Sequence, residues 1–308
     1  MQVMNPITDL PPRFLHELEK VIAGQRDHLE LVLATLLSQG HLLLEDRPGV
    51  GKTVLARALG IVFGVPFGRI QGTPDLLPTD VTGVHVFQPN TGEWEFRSGP
   101  VFTSLLLVDE LNRATPKAQS ALLEAMAEGQ VTIDGHTYGV GSPFMVIATQ
   151  NPRGEVGTHA LGHAQIDRFA TMLQLGLPGR DAERSILTGH AGIGLLSQIE
   201  PVVAPGELPT LFGHVAAIRA CDSIIDYVLS LIETVRELDP SIWLSVRVAQ
   251  TLLAVSRGQA FMSQRDYVAP EDVQKSTLAV LAHRLPRAIQ PDAVRGALEQ
   301  VPVPVDAH

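Results

Sequence analysis

Between an apolar stretch, His41 to Glu45, and a helical one, Lys52 to Val62, the chain reads Pro48-Gly49-Val50-Gly51-Lys52-Thr53. Few turns constrain a fold so tightly. Small residues let the backbone curl until its amides converge on phosphate oxygens, and the geometry needs a strand entering the turn and a helix leaving it. Lys52 is then placed to reach the β- and γ-phosphates, and the Thr53 hydroxyl to ligate Mg²⁺. Pro48, Gly49, Val50, Gly51, Lys52, Thr53 and Val54 are the candidate phosphate-binding residues. The usual pattern has glycine six positions before the lysine, whereas Asp46 stands there.

Further short apolar runs at Phe67–Ile70, Ser104–Val108, Phe144–Ala148 and Thr171–Leu175 read as strands. Leu29, Val32, Leu33, Leu36 and Leu37 fall at helical spacing within Gln25–Ser38. Strands alternating with helices predict a parallel sheet wrapped by helices, an α/β fold. Val84–Phe87 with Glu93–Arg97, and Val131–Ile133 with Thr137–Val140, flank turn residues and read as two β-hairpins projecting from that sheet. His85 and His136 are expected as solvated hairpin residues rather than metal ligands.

After Leu175 the pattern changes. A helix is expected over Arg180–His190, then a Gly- and Pro-rich stretch, Gly192 to Pro209. Helical segments alone follow at Leu211–Ala220, Ile224–Leu238, Ser245–Arg257 and Pro270–Leu281. The last begins Ala269-Pro270-Glu271-Asp272, proline and acids where the missing amide and the helix dipole favour them. The division is residues 1–179 as an α/β nucleotide-binding domain, 180–210 as a connecting helix and linker, and 211–308 as a smaller all-helical lid.

Leu105-Leu106-Leu107-Val108-Asp109-Glu110 delivers two carboxylates at a strand's C-terminal end, where open α/β sheets bind ligands. Asp109 is the candidate support for Mg²⁺, directly or through a coordinated water, and Glu110 the candidate for orienting or deprotonating an attacking water. No Asn/Thr-Lys-x-Asp element for reading guanine is present, so the pair favours ATP over GTP.

A net charge of −10 over 308 residues argues against a broad nucleic-acid surface, which needs clustered Lys and Arg. Cys221, the single cysteine, excludes an internal disulfide and a Cys-based zinc site, and beside an apolar run it is expected as a buried structural thiol. Neither a signal peptide nor an apolar run of about 20 residues is evident, which predicts a cytoplasmic protein without a membrane span.

In running order the chain carries Val21-Ile22-Ala23-Gly24-Gln25, then Leu44 through Thr53, then Arg69-Ile70-Gln71-Gly72-Thr73-Pro74-Asp75-Leu76-Leu77-Pro78. Next come Gly99-Pro100-Val101-Phe102, Asp109-Glu110-Leu111-Asn112-Arg113-Ala114, Gln119 through Met126, Ala148-Thr149-Gln150-Asn151-Pro152 and Ile166-Asp167-Arg168-Phe169. Asp266 through Val273 closes the series. By these stretches the chain resembles the MoxR family of AAA+ ATPases over nearly its whole length, and that family often carries Asp where Asp46 stands.

The resemblance implies a ring, usually a hexamer, with ATP between subunits. It implies that Ile22, Gly24 and Gln25 help bind the nucleotide and that Asn151 is a sensor of the γ-phosphate. Arg168 is implied as the finger reaching the neighbour's γ-phosphate, with Arg153 a rival. Arg247, in Leu244-Ser245-Val246-Arg247, is implied as the lid residue linked to bound ATP, although Val246 replaces the usual proline. Relatives read Leu-Pro-Glu-Ala-Gln where this chain has Leu161-Gly162-His163-Ala164-Gln165. The expected activity is a chaperone-like ATPase that remodels protein partners, among which the family implies von Willebrand factor A domain proteins. A chelatase-type motor, a nucleic-acid translocase and a nucleotide-sensing scaffold are the alternatives.

Overall fold

The computed structural model describes residues 7, 9–47, 49–151, 158–159, 161–286, 289 and 291–304. Two helices, α1 (Leu10–Glu19) and α2 (Arg26–Leu37), precede β1 (Leu42–Glu45), α3 (Lys52–Val62), β2 (Phe67–Gln71) and α4 (Pro78–Thr82). The hairpin β3 (Gly83–Gln88) and β4 (Glu93–Ser98) leads to β5 (Leu105–Asp109), α5 (Pro116–Glu128) and a second hairpin, β6 (Gln130–Ile133) and β7 (His136–Gly139). Then follow β8 (Met145–Gln150), α6 (His163–Ile166), β9 (Thr171–Leu173) and α7 (Arg180–Leu187). The chain ends in α8 (Leu208–Ala216), α9 (Asp222–Arg236), α10 (Val246–Met262), α11 (Pro270–Leu281) and α12 (Pro291–Leu298).

The five-stranded sheet is parallel throughout, in the order β2-β5-β8-β1-β9. Every residue of β5 and β8 is buried. Strands covered on both faces read as continuous apolar runs, and that is how these two stood out in the sequence. The hairpins form separate two-stranded sheets beside it.

The helices show where the sequence signals were missed. In α5, Thr115 accepts from the Ala118 amide at 3.3 Å, Pro116 opens the helix and Gly129 closes it at φ 64°. Those are ordinary start and stop signals. Helix α1 was not anticipated either, although Pro11 and Pro12 lie in its first turn, where proline is suited. α10 runs five residues past the expected Arg257 because Gly258 does not end it. A side chain at Gly258 would meet the Ala34 carbonyl at 2.3 Å, so this glycine lets α10 lie against α2.

That contact joins the two halves of the molecule. Leu29, Val32, Leu33, Leu36 and Leu37 of α2 are fully buried in a core that also takes in Val248, Leu252 and Val255 of α10. At the start of α11, Asp272 accepts from the Ala269 amide and pairs with Arg265, both at 2.8 Å. Burial pushes its carboxyl above the ordinary value despite that partner. Cys221 is half-buried rather than buried, because it stands at the exposed start of α9, where a hydrogen bond with Ser223 lowers its pKa. Among the described residues, no helix is long and apolar enough to cross a membrane.

Candidate functional site

Sheet register brings the candidate residues level. Gln71 pairs with Asp109, Val108 with Ala148, and Glu45 with Gln150, so β2, β5, β8 and β1 end side by side. Their ends and the turn into α3 enclose a cleft of about 380 Å³, lined by Gly49, Gly51, Lys52, Thr53, Val54, Arg69, Gln71, Asp109, Glu110, Thr149 and Asn151. Gly49 and Gly51 adopt φ of 94° and 92°, a conformation that side chains disfavour, so the turn can curl toward a ligand. Pro48 lies outside the described residues, as does Arg153.

Asp109 is nearly buried, and its Oδ2 accepts from Arg69 Nε at 2.9 Å while Thr149 Oγ1 lies 3.4 Å from its Oδ1. Glu110 sits in the left-handed region at φ 54°. Such a backbone costs a non-glycine residue about 1–2 kcal/mol and persists only where its surroundings hold it. Here the Glu110 amide donates to Thr149 Oγ1 at 2.9 Å and its carbonyl accepts from the Arg113 amide at 2.8 Å. The Glu110 carboxylate accepts from Gln71, Arg113 and Asn151 at 3.3, 3.1 and 3.5 Å. Gly72 makes this possible: its amide donates to Asp109 O, and a side chain there would meet the Glu110 carbonyl at 2.2 Å.

Arg69 and Gln71 were read as part of a family stretch without a role, although their place at the end of a strand beside Asp109 was the available signal. The buried Gln119 was missed likewise; its amide donates to the carbonyls of Leu111, Ala114 and His159 and ties down the turn after Glu110.

Asp46 proves structural. Its carboxylate accepts from the amides of Leu175 and Gly176 at 2.7 and 3.2 Å, and its carbonyl accepts from Lys52 Nζ at 2.6 Å. The carboxylate therefore ties the outlet of β1 to the outlet of β9. Ile22 Cδ1 lies 4.0 Å from where a side chain on Gly51 would begin, Gly24 abuts Ala182 of α7, and Gln25 is buried with its Oε1 unpartnered.

Arg168 and Arg247 lie elsewhere. Together with Arg284, Asp167 and His41 they line a second groove, of about 270 Å³, which shares no lining residue with the phosphate cleft. Arg168 donates to the Leu123 carbonyl, and Asp167 pairs with Arg284 at 2.8 Å. Burial lowers the Arg284 pKa, Asp167 opposes that, and the like charge of Arg247 adds to it. His41 accepts from the Val146 amide at Nδ1 and its Nε2 lies 3.3 Å from Met126 O; desolvation by its packed surroundings pushes its imidazole down to about 4. His163 is exposed on α6.

The hairpins also depart from expectation. His85 is not solvated, because it bridges them: Nδ1 meets Asp134 at 2.9 Å and Nε2 meets the Tyr138 hydroxyl at 3.0 Å. Phe96 stacks on Tyr138 at 4.3 Å, so the hairpins are joined side by side. His136 is exposed, its ring 5.9 Å from that of His85.

A larger groove, about 920 Å³, opens between α2, β9 and α11–α12, lined by residues such as His28, Met172, Lys275 and Val294. It has none of the phosphate loop, paired acids and strand-end amide that converge in the smaller cleft. The site is therefore assigned by its chemistry rather than by size.

A parallel sheet with a phosphate loop after β1, paired acids after β5 and a helical lid defines a P-loop nucleotide-binding protein of the AAA class. The AAA family (ATPase family associated with various cellular activities) matches residues 41–171, and the AAA lid domain matches residues 242–302. The uncharacterized protein YeaC of Bacillus subtilis is 43% identical, over 96% of this chain and 97% of that one. Chaperone MoxR1 of Mycobacterium tuberculosis is 38% identical, over 89% of this chain and 74% of its own. A crystal structure of a Cytophaga hutchinsonii protein superposes with a TM-score of 0.86 at 32% identity, covering 97% of this chain and 96% of the other. The chain belongs to the MoxR family of AAA+ ATPases.

Proposed function

We propose that this chain hydrolyses ATP in the cleft between Gly49–Val54 and Asp109/Glu110, as one protomer of a ring of identical copies, and uses the energy to remodel protein partners.

 The observation that carries this reading is the register that sets a phosphate loop, two acids and Asn151 at neighbouring strand ends. Residues 1–179 would hold the nucleotide, 180–210 connect, and 211–308 form the lid.

In this reading the amides of Gly49 to Thr53 and the Lys52 ammonium hold the β- and γ-phosphates, with the dipole of α3 behind them. Thr53 and Asp109 offer the hard oxygens that suit Mg²⁺. Asp109 is already paired with Arg69, which favours support through a coordinated water, and among the described residues no protein cluster could hold a metal unaided. Bound there, Mg²⁺ would neutralise charge on the phosphate oxygens. Glu110 orients the attacking water, and Asn151, already within reach of Glu110, steadies it with a neutral amide. The buried, unpartnered Oε1 of Gln25 is an acceptor suited to the adenine amine, beside Ile22 and Gly24.

Arg168 and Arg247 share a groove apart from their own chain's cleft, so both are assigned to the γ-phosphate held by the next protomer. That assignment requires a ring, and a hexamer is the size the family resemblance implies. A relative's name, Chaperone MoxR1, supports protein clients, and the von Willebrand factor A class remains the partner to try first.

The test compares Glu110→Gln with Lys52→Ala by ATP turnover, nucleotide binding and particle size. Glu110→Gln is expected to retain ATP in an assembled ring without turnover, and Lys52→Ala to lose nucleotide binding. Normal hydrolysis by Glu110→Gln would sink the assignment. Turnover stimulated by DNA alone would favour a translocase.

A further inference from the structure

Arg284 follows α11 in the lid, and its side chain is 4% exposed. A guanidinium has five N–H donors in a rigid fork. Each finds an acceptor here. Nε donates to Asp167 Oδ1 at 2.8 Å, and Nη2 donates to the carbonyls of Asp167 and Phe169 at 3.2 and 2.8 Å. Nη1 donates to the Ala170 carbonyl at 3.2 Å and to that of Val280, in the last turn of α11. His283 Nε2 lies 2.9 Å from the same Phe169 carbonyl.

The residues so held are those on either side of Arg168. One lid side chain fixes the carbonyl before it, the carbonyl after it and the neighbouring carboxylate. Stability alone does not require a guanidinium at this place, because a buried ion pair exchanged for well-packed apolar side chains is often neutral or stabilising. An apolar side chain would fill the same space but could not fix the peptide plane that enters residue 168 or the one that leaves residue 169. An arginine that must reach a neighbour's phosphate gains from such fixing, since small misplacements of a reacting group cost large factors in rate.

We propose that Arg284 is the positioning residue for Arg168, and that through it the lid sets where the arginine offered to the next protomer points. The inference rests on the reading that Arg168 acts on a neighbour's nucleotide. It goes further by assigning control of that arginine to the lid.

The experiment uses the full chain with Arg284→Lys, which keeps the charge but loses the fork, beside Arg168→Ala as the reference. ATP binding, kcat, KM and the thermal midpoint are measured for each. Each is then mixed with Glu110→Gln, whose Arg168 and Arg284 are intact. Arg284→Lys is expected to bind ATP as tightly as the parent while kcat falls about 10- to 100-fold, the cost of a misplaced group. Mixing is expected to restore turnover to both variants, because the Glu110→Gln protomers lend their arginine to competent neighbours.

Rescue of Arg168→Ala without rescue of Arg284→Lys would overturn the positioning role, as would an unchanged kcat in Arg284→Lys. Failure to rescue Arg168→Ala would remove the reading beneath it, and the inference with it. If Arg284→Lys does not fold, Asp167→Asn decides: it keeps the shape but removes the charge that aims Nε, and a kcat equal to the parent's would overturn the proposal.

Discussion

The phosphate cleft is assembled from strand ends that one sheet holds level, and its residues come from the ends of three neighbouring strands, β2, β5 and β8, and from the turn that leads from β1 into α3. The arginine groove is assembled across a seam, from the start of β1, the end of α5, the approach to β9, the lid helix α10 and the turn after α11. The cleft inherits its geometry from backbone hydrogen bonds that any parallel sheet makes. The groove depends on particular side chains, with Arg284 holding the approach to β9 and His41 set between Met126 and Val146. A site built on a sheet tolerates distant change, whereas one built across a seam answers to movement of either side.

Arg168→Ala makes the strongest break. Turnover is expected to fall about 1,000-fold or more, the scale of losing such an arginine in phosphoryl transfer, while a fluorescent ATP analogue still binds. Loss of binding instead would place Arg168 in service of its own cleft and erase the distinction between the two regions.

Acid should loosen the groove next. His41 stays neutral in the fold down to about 4, whereas in the unfolded chain it takes a proton near 6.5. Between those values the unfolded chain binds more protons, so stability is complete above 6.5 and is lost as pH falls toward 4. The loss should reach about 3 kcal/mol, followed by urea unfolding across that window. A slope that survives in His41→Gln would assign it to other groups.

At the cleft, Asp46→Asn removes the charge that accepts the Leu175 and Gly176 amides. A loss of about 1–2 kcal/mol is expected from weakening charged hydrogen bonds, with ATP binding retained, as calorimetry can measure. Loss of ATP binding at unchanged stability would return Asp46 to the phosphate site. The smallest effect belongs to the hairpins, which line neither site. Tyr138→Phe should cost about 0.5–1.5 kcal/mol, the worth of one hydrogen bond. Hydrogen exchange should quicken at residues 83–98 and leave β5 and β8 unchanged.

The sequence disclosed the cleft because each of its parts is local. A glycine turn before Lys52 and two acids after Leu105–Val108 are written contiguously, and the apolar strands around them are continuous because both faces are covered. The parallel sheet, the hairpins and the lid could be read for the same reason. What stayed hidden depends on pairing across distance. Nothing beside Arg284 in the chain points to Asp167, which lies 117 positions away, and nothing beside Asp46 points to Leu175. His85 looked solvated because its partners, Asp134 and Tyr138, sit on the other hairpin. Helix α5 was different: its proline start and glycine stop were legible and went unused.

Gly72 carries no chemistry of its own, yet it governs how near two strands can come. In a saturation library it should score as harshly as Lys52, and a survey ranking positions by intolerance would mistake it for a ligand-binding residue. Its sensitivity would report the absence of room rather than the presence of a function. Even alanine there would part Gln71 from Glu110.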